Sequence, residues 1–167
     1  FEDLLKRLKD PLLKYFDAEA VTIYGVDDSR KEIFSKVTYG NKLGKIRIPI
    51  SSKSVAGYLA MVKKMVNIRD IKGLRKTKIL HPKLAFDDSW EKVAAVSTKS
   101  LMTLPLVYGG HLTGVLQLVN KKDMKVFSTR DERTGFLVAQ ELALALYDQK
   151  KNEPAVVEST GSLSQAP

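Results

Sequence analysis

Side chains that commonly carry out chemistry are scarce in this sequence, and their scarcity directs attention to binding. There is no cysteine, which removes disulfides, thiolate metal sites, cysteine nucleophiles and thioether-linked chromophores together. His81 and His111 are the only histidines, and His111 follows Gly109-Gly110, where an exposed turn residue is the simplest reading. The pair Asp87-Asp88 has no histidine at a metal-ligand spacing and suits capping of a short helix at Ser89-Trp90-Glu91. No phosphate loop, dinucleotide fingerprint or nucleophile elbow occurs. Ser51, Ser52 or Ser54 can cap a helix whose first amides suit an anion, and Lys72, Arg75, Lys76, Lys78 and Lys83 form the densest patch of positive charge. The competing reading is that Ser54 only caps its helix and the cations only meet water. Trp90 likewise has two readings, a stacking or sealing residue and a core anchor.

Those residues need elements to position them. Residues 1–16 carry a helical stripe (Phe1, Leu5, Leu8, Leu12, Phe16), and Asp10-Pro11 predicts a break or kink before a short second helix. Strands are expected at 20–26, 32–39 and 45–50, the last from the alternation of Ile46, Ile48 and Ile50. A helix from the Ser54 region runs to about Lys63, and a brief strand follows at 65–68. The stretch 70–98 lacks sustained periodicity, which marks a lid or binding loop. A hairpin around Gly109-Gly110 joins strands 101–108 and 112–120. The last helix starts at Ser128 or Thr129, with Thr129 and Glu132 spaced as a capping box, and runs to about Lys150. Its apolar residues form two faces, Phe136, Ala139, Ala143, Leu146 and Leu137, Leu144; the second needs a partner, so a homodimer through the terminal helices is expected. From residue 151 the composition turns to that of a linker or tail.

Composition narrows the function classes. The net charge of +9 comes from scattered Lys and Arg with no aromatic-interleaved stripe, so no specific nucleic-acid partner is expected. No apolar run approaches the roughly 20 residues of a membrane span, and the first residues are unlike a signal peptide. The expectation is no membrane insertion and a cytoplasmic setting. A chain starting inside a helix without methionine is expected to be a piece of a longer protein.

Four ordered strings then give a resemblance. Ile48-Pro49 with Ser54-Val55-Ala56-Gly57, Val66-Asn67-Ile68-Arg69-Asp70, Ser100-Leu101-Met102-Thr103-Leu104-Pro105-Leu106 and Gly114-Val115-Leu116-Gln117-Leu118-Val119-Asn120-Lys121 resemble the motifs of GAF domains, over nearly all of residues 1–150. Asn120-Lys121, Phe127 and Asp131-Glu132 are similar to the Asn-Lys…Phe-x-x-x-Asp-Glu signature of GAF domains in cyclic-nucleotide phosphodiesterases and adenylyl cyclases.

The resemblance implies an α+β, profilin/PAS-like fold: a central antiparallel sheet of about six strands, helices on one face, and a lid over a pocket on the other. It implies that Lys121 and Asp131 pair in support of the pocket, with Phe127 beneath them. The pocket walls would be Ile48, Ser54, Ile68, Asp70, Arg75, Lys76, Trp90 and Thr103. The function implied is non-catalytic: a regulatory module of a larger signalling protein that binds a small molecule, a cyclic nucleotide among the candidates, and signals through its terminal helices to an effector domain in the same polypeptide. A ligand-free assembly module is the alternative. Parts of the lid string resemble GAF domains of bacterial signalling proteins and secretion or pilus-type ATPases. Methionine-sulfoxide reductases of this fold need cysteines that are absent here, and no cofactor is expected: haem-binding GAF domains use a proximal histidine, for which His81 is the candidate, but haem is not the expectation.

Overall fold

The structure is a computed structural model that describes residues 2–27, 29–38, 46–73, 97–123 and 125–152. Its elements are α1 (Glu2–Phe16), β1 (Ala18–Val26), β2 (Glu32–Val37), β3 (Arg47–Pro49), α2 (Val55–Val62), β4 (Val66–Ile68), β5 (Leu101–Tyr108), β6 (His111–Lys121) and α3 (Thr129–Asn152). The six strands form one antiparallel sheet in the order β3-β2-β1-β6-β5-β4. The long central strands, β1, β5 and β6, are those with the longest β-forming runs, and both edge strands have three residues. Short edges limit pairing with other chains.

Strand periodicity sorts the core into two layers. Met102, Leu104 and Leu106 of β5 and Leu116 and Leu118 of β6 face α1 and α3, where they meet Leu5, Leu12, Phe16, Ala139, Leu142, Ala143 and Leu146. The intervening residues Leu101, Val115 and Val119 face the other way and pack with Val55, Ala56, Leu59 and Ala60 of α2. The terminal helices thus share one face, and α2 covers part of the opposite one. Each fully buried Leu or Phe on either layer contributes roughly 1.5–3 kcal/mol.

Three local expectations give way. Pro11 does not divide the first helix, which continues from Glu2 to Phe16. Pro11 is exposed, while Leu5 before it and Leu12 and Phe16 after it are all buried against the sheet, so packing on both sides holds one axis despite the lost amide donor. The capping box of α3 is Ser128 with Asp131, one residue earlier than Thr129 with Glu132. The Asp131 amide donates to Ser128 Oγ (3.2 Å), and the Ser128 amide donates to Asp131 Oδ2 (2.7 Å). Phe136 lies outside the buried stripe of α3; it is 57% exposed, on the side that also leaves Leu137 and Leu144 open.

Two glycines in the quoted strings have a steric reason. A Cβ on Gly57 would sit 2.3 Å from the Pro49 carbonyl oxygen, so α2 lies directly on the end of β3. A Cβ on Gly114 would sit 2.2 Å from the Tyr24 carbonyl oxygen and 2.9 Å from Leu146 Cδ1, where β1, β6 and α3 converge. The helix α2 is closed at its start by Ser54, whose Oγ accepts from the Gly57 amide at 3.0 Å.

Candidate ligand-binding site

The α2 face carries polar groups in an apolar surround. Thr22 of β1 pairs with Gln117 of β6, which pairs with Thr103 of β5, which pairs with Val66 of β4. Alternation sends the Gln117 and Thr103 side chains to the same side as Val115, Val119 and Leu101. Tyr24, from the same face of β1, donates its hydroxyl to Gln117 Oε1 at 3.3 Å. Thr103 is fully buried, and its Oγ1 has no hydrogen-bond partner among the described residues. An unpaired buried hydroxyl is costly, on the order of 1–3 kcal/mol, and calls for an explanation. Burial pushes the Tyr24 phenol well above its ordinary value, so it stays a neutral donor. This wall offers neutral hydrogen-bonding groups among apolar ones. Among the described residues, no three of His, Cys, Asp and Glu gather at a metal-sized site.

Of the expected pocket residues, Ile48 and Ile68 join the α2-face cluster, and Thr103 belongs to the polar row. Ser54 stands at the α2 start, but its own hydroxyl already occupies the Gly57 amide. Asp70 is exposed two residues beyond β4 and accepts from the Lys72 amide at 2.9 Å. Arg75, Lys76, His81 and Trp90 lie outside the described residues. Tyr24 and Gln117 are additions that the sequence reading passed over. Gln117 carried a signal, as the one polar residue within the run Val115–Val119; Tyr24 did not, because only the β1–β6 register brings the two together.

The Asn120–Glu132 string lies behind this wall, at the root of α3. Lys121 Nζ meets Asp131 Oδ1 at 3.0 Å, with both side chains mostly buried, and sits 5.8 Å from the centre of the Phe127 ring. Burial works against a charged Asp131. The Ser128 amide and hydroxyl and the Lys121 ammonium outweigh it and hold the carboxyl below its usual range. Phe127 is fully enclosed in the layer under α1 and α3. Glu132 accepts from Asn67 Nδ2 at 2.7 Å, and the same nitrogen donates to the Phe127 carbonyl at 3.0 Å. Strand β4, which leads into the 70–98 segment, is thereby tied to the first turn of α3.

Asn120 ties the other end of that segment. Its Oδ1 accepts from the amides of Lys99 (2.7 Å) and Ser100 (3.2 Å), and its Nδ2 donates to Ser97 O (2.9 Å) and Glu19 Oε2 (2.7 Å). All four hydrogen-bonding positions of one amide are used. The residue holds φ at 53°, a left-handed value that Asn tolerates better than most. Both anchors of the segment therefore converge on one short stretch, Asn120–Glu132.

Comparison with known proteins agrees with this architecture. A profile described as the GAF domain matches residues 1–146. The chain is 26% identical over 148 residues to a probable 3',5'-cyclic phosphodiesterase of Caenorhabditis elegans, covering 82% of the chain and 19% of that protein. It is 32% identical over 108 residues to the cone cGMP-specific 3',5'-cyclic phosphodiesterase subunit alpha' of Mus musculus, covering 65% of the chain and 12% of that subunit. Among solved structures, the GAF domain of a phosphoenolpyruvate-protein phosphotransferase from Coxiella burnetii superposes with a TM-score of 0.74 at 20% identity, over 90% of this chain and 84% of that one. A type II free methionine-R-sulfoxide reductase from Thermoplasma acidophilum shares the fold with a TM-score of 0.66 at 18% identity, over 88% and 93% of the two chains. With the profile spanning most of its length, this chain belongs to the GAF domain family.

Proposed function

We propose that this domain is a non-catalytic sensor that binds a small molecule on the α2 face and passes its state to an effector through the terminal helices. The observation that carries this reading is Thr103 Oγ1, buried and unpartnered in a row with Gln117 and Tyr24. A ligand with one hydrogen-bonding edge would complete the row. The tether at Asn67 joins β4 to the first turn of α3, and Asn120 holds Ser97–Ser100, before β5, to the end of β6, so a ligand that favoured one arrangement of β4 and β5 would bias the helix. The named relatives are cyclic-nucleotide phosphodiesterases, which makes cyclic nucleotides the first class to test. A thermal-shift screen against cyclic nucleotides, other nucleotides and metabolites is the experiment. A ligand at about 100 times its dissociation constant adds roughly 2.7 kcal/mol to native stability. A saturable shift that Thr103→Val abolishes supports the sensor; no shift from a folded, dimeric protein favours the second reading.

That second reading is a ligand-free assembly module, and it too has its observation. Phe136, Leu137 and Leu144 remain open on α3, and Leu4 and Tyr15 on α1, with Tyr15 Oη 3.4 Å from Thr134 Oγ1 where the two helices meet. A second copy of the chain is the occupant proposed for this surface.

A further inference from the structure

Some clefts lined by described residues lie at the C-terminal end of α3. Where the end of α3 passes the β1–β2 turn and the β5–β6 hairpin, two of them, about 310 and 210 Å³, adjoin and share Val26, Thr113, Leu146 and Lys150 as walls. Cations reach them from four separate places: Arg30 from the turn, Lys36 from β2, Arg47 from β3, and Lys150 with Lys151 from α3. Asp27 is the carboxylate in that lining, and it is already engaged. It accepts from the Ser29 hydroxyl and the Lys31 and Glu32 amides, with Arg47 at 3.7 Å.

A helix C-terminus accounts for Lys150 and Lys151, which complement its partial negative charge. Arg47 is held by Glu32 at 2.9 Å, and Lys36 donates to Gln149 Oε1 at 3.2 Å, which leaves Arg30 to explain. Arg30 holds φ at 55°, a position where Gly or Asn would sit with less strain. Among the described residues, no carboxylate pairs with Arg30 or Lys151. Other parts of the lining differ in character: Val26, Leu112 and Leu146 are apolar, and Tyr147 joins them, its ring centre 4.9 Å from that of Tyr108.

We propose that this cleft binds a nucleotide-sized phosphorylated small molecule, with its phosphates among Arg30, Lys150 and Lys151 and its organic part against Leu112 and Tyr147. The larger lobe has the volume at which small-molecule pockets begin, roughly 300 Å³. Its shape favours a small ligand over a macromolecule, because a duplex or a membrane meets protruding charge and here the cations line a concavity. The site shares Val26 and Leu112 with the apolar surround of the α2 face but uses none of its polar groups, Tyr24, Gln117 and Thr103, so the two readings are tested by different variants.

The test is calorimetric titration of the full 167-residue chain with ATP, pyrophosphate and adenosine in low salt. Wild type, the double variant Arg30→Glu/Lys151→Glu and the conservative Arg30→Lys are compared, each first shown to be folded by circular dichroism. The expected result is saturable ATP binding, weaker pyrophosphate binding and no measurable adenosine binding. ATP affinity should fall at least tenfold in the double variant and stay within about threefold in Arg30→Lys. Failure of ATP and pyrophosphate to saturate would overturn the proposal, as would ATP binding unchanged by the double variant, which would place the anion elsewhere. Tight duplex DNA or phosphatidylserine-vesicle binding that the double variant removes, without saturable ATP binding, would also overturn it and assign the charge to a macromolecule.

Discussion

The sheet carries two faces of contrasting chemistry, made from alternate residues of the same strands. Toward α1 and α3, β5 and β6 present Met102, Leu104, Leu106, Leu116 and Leu118, an apolar layer sealed by Phe16 and Phe127. Toward α2 they present Leu101, Thr103, Val115, Gln117 and Val119, which mix apolar and hydrogen-bonding groups. One layer is built to hold the terminal helices in one place. The other retains polar groups that weaken the core unless something pairs with them. A one-residue step along a strand therefore separates a residue of the apolar layer from one of the mixed layer, and the two can be perturbed separately.

The strongest way to break the contrast is at Phe127, on the sealed side. Phe127→Ala should cost about 3–5 kcal/mol in urea denaturation, because it empties a fully enclosed site under two helices. A loss below about 1 kcal/mol would mean that this layer is not the stabilising one. A smaller effect is expected at Asp131. Asp131→Asn removes the acceptor of Lys121 and weakens the cap at Ser128, for a loss of about 1–3 kcal/mol near neutral pH. The folded carboxyl lies below its unfolded value, so its contribution is complete above about pH 4 and is lost as pH falls through the folded value. The deficit of the variant should therefore shrink in acid, and a deficit constant from pH 7 to pH 2 would refute the ion-pair account. The smallest effect sharpens the comparison from the other side. Thr103→Val should leave stability unchanged or raise it by up to about 1 kcal/mol, since it removes a hydroxyl that has no described partner. A clear destabilisation would show that the α2 face is an ordinary core.

What the sequence revealed and what it hid divide along the distance over which an effect acts. Gly57 and Gly114 were visible as parts of strings because each permits a single close backbone approach that a local pattern records. Element types were legible from periodicity, although β3 is trimmed to Arg47–Pro49 and β6 extends to His111–Lys121. The α3 cap was misread by one residue because Ser128/Asp131 and Thr129/Glu132 both fit the spacing. Asn67 decides between them by claiming Glu132 from 65 residues away, leaving Asp131 to the cap. Phe136 falls outside the buried stripe because its neighbour Gly135 is the residue that lies against Leu104 and Met102 of the sheet, a contact that helical spacing alone does not reveal. The polar row of the α2 face was legible only in part. Thr103 came from the resemblance, whereas Tyr24 and Gln117 needed the strand register.

The amide of Asn120 also bears on how the molecule ages. Asparagine decays when the following backbone nitrogen attacks the side-chain carbonyl, closing a five-membered imide and expelling ammonia. Here that nitrogen, of Lys121, donates to Ser100 Oγ at 3.2 Å, and the carboxamide is held by four hydrogen bonds that prevent it from swinging into line. Conversion to aspartate would set a second negative charge against Glu19 and delete the donor to Ser97. The bonds that fix where the chain rejoins the sheet thus also protect, against slow chemical damage, the residue whose loss would release it.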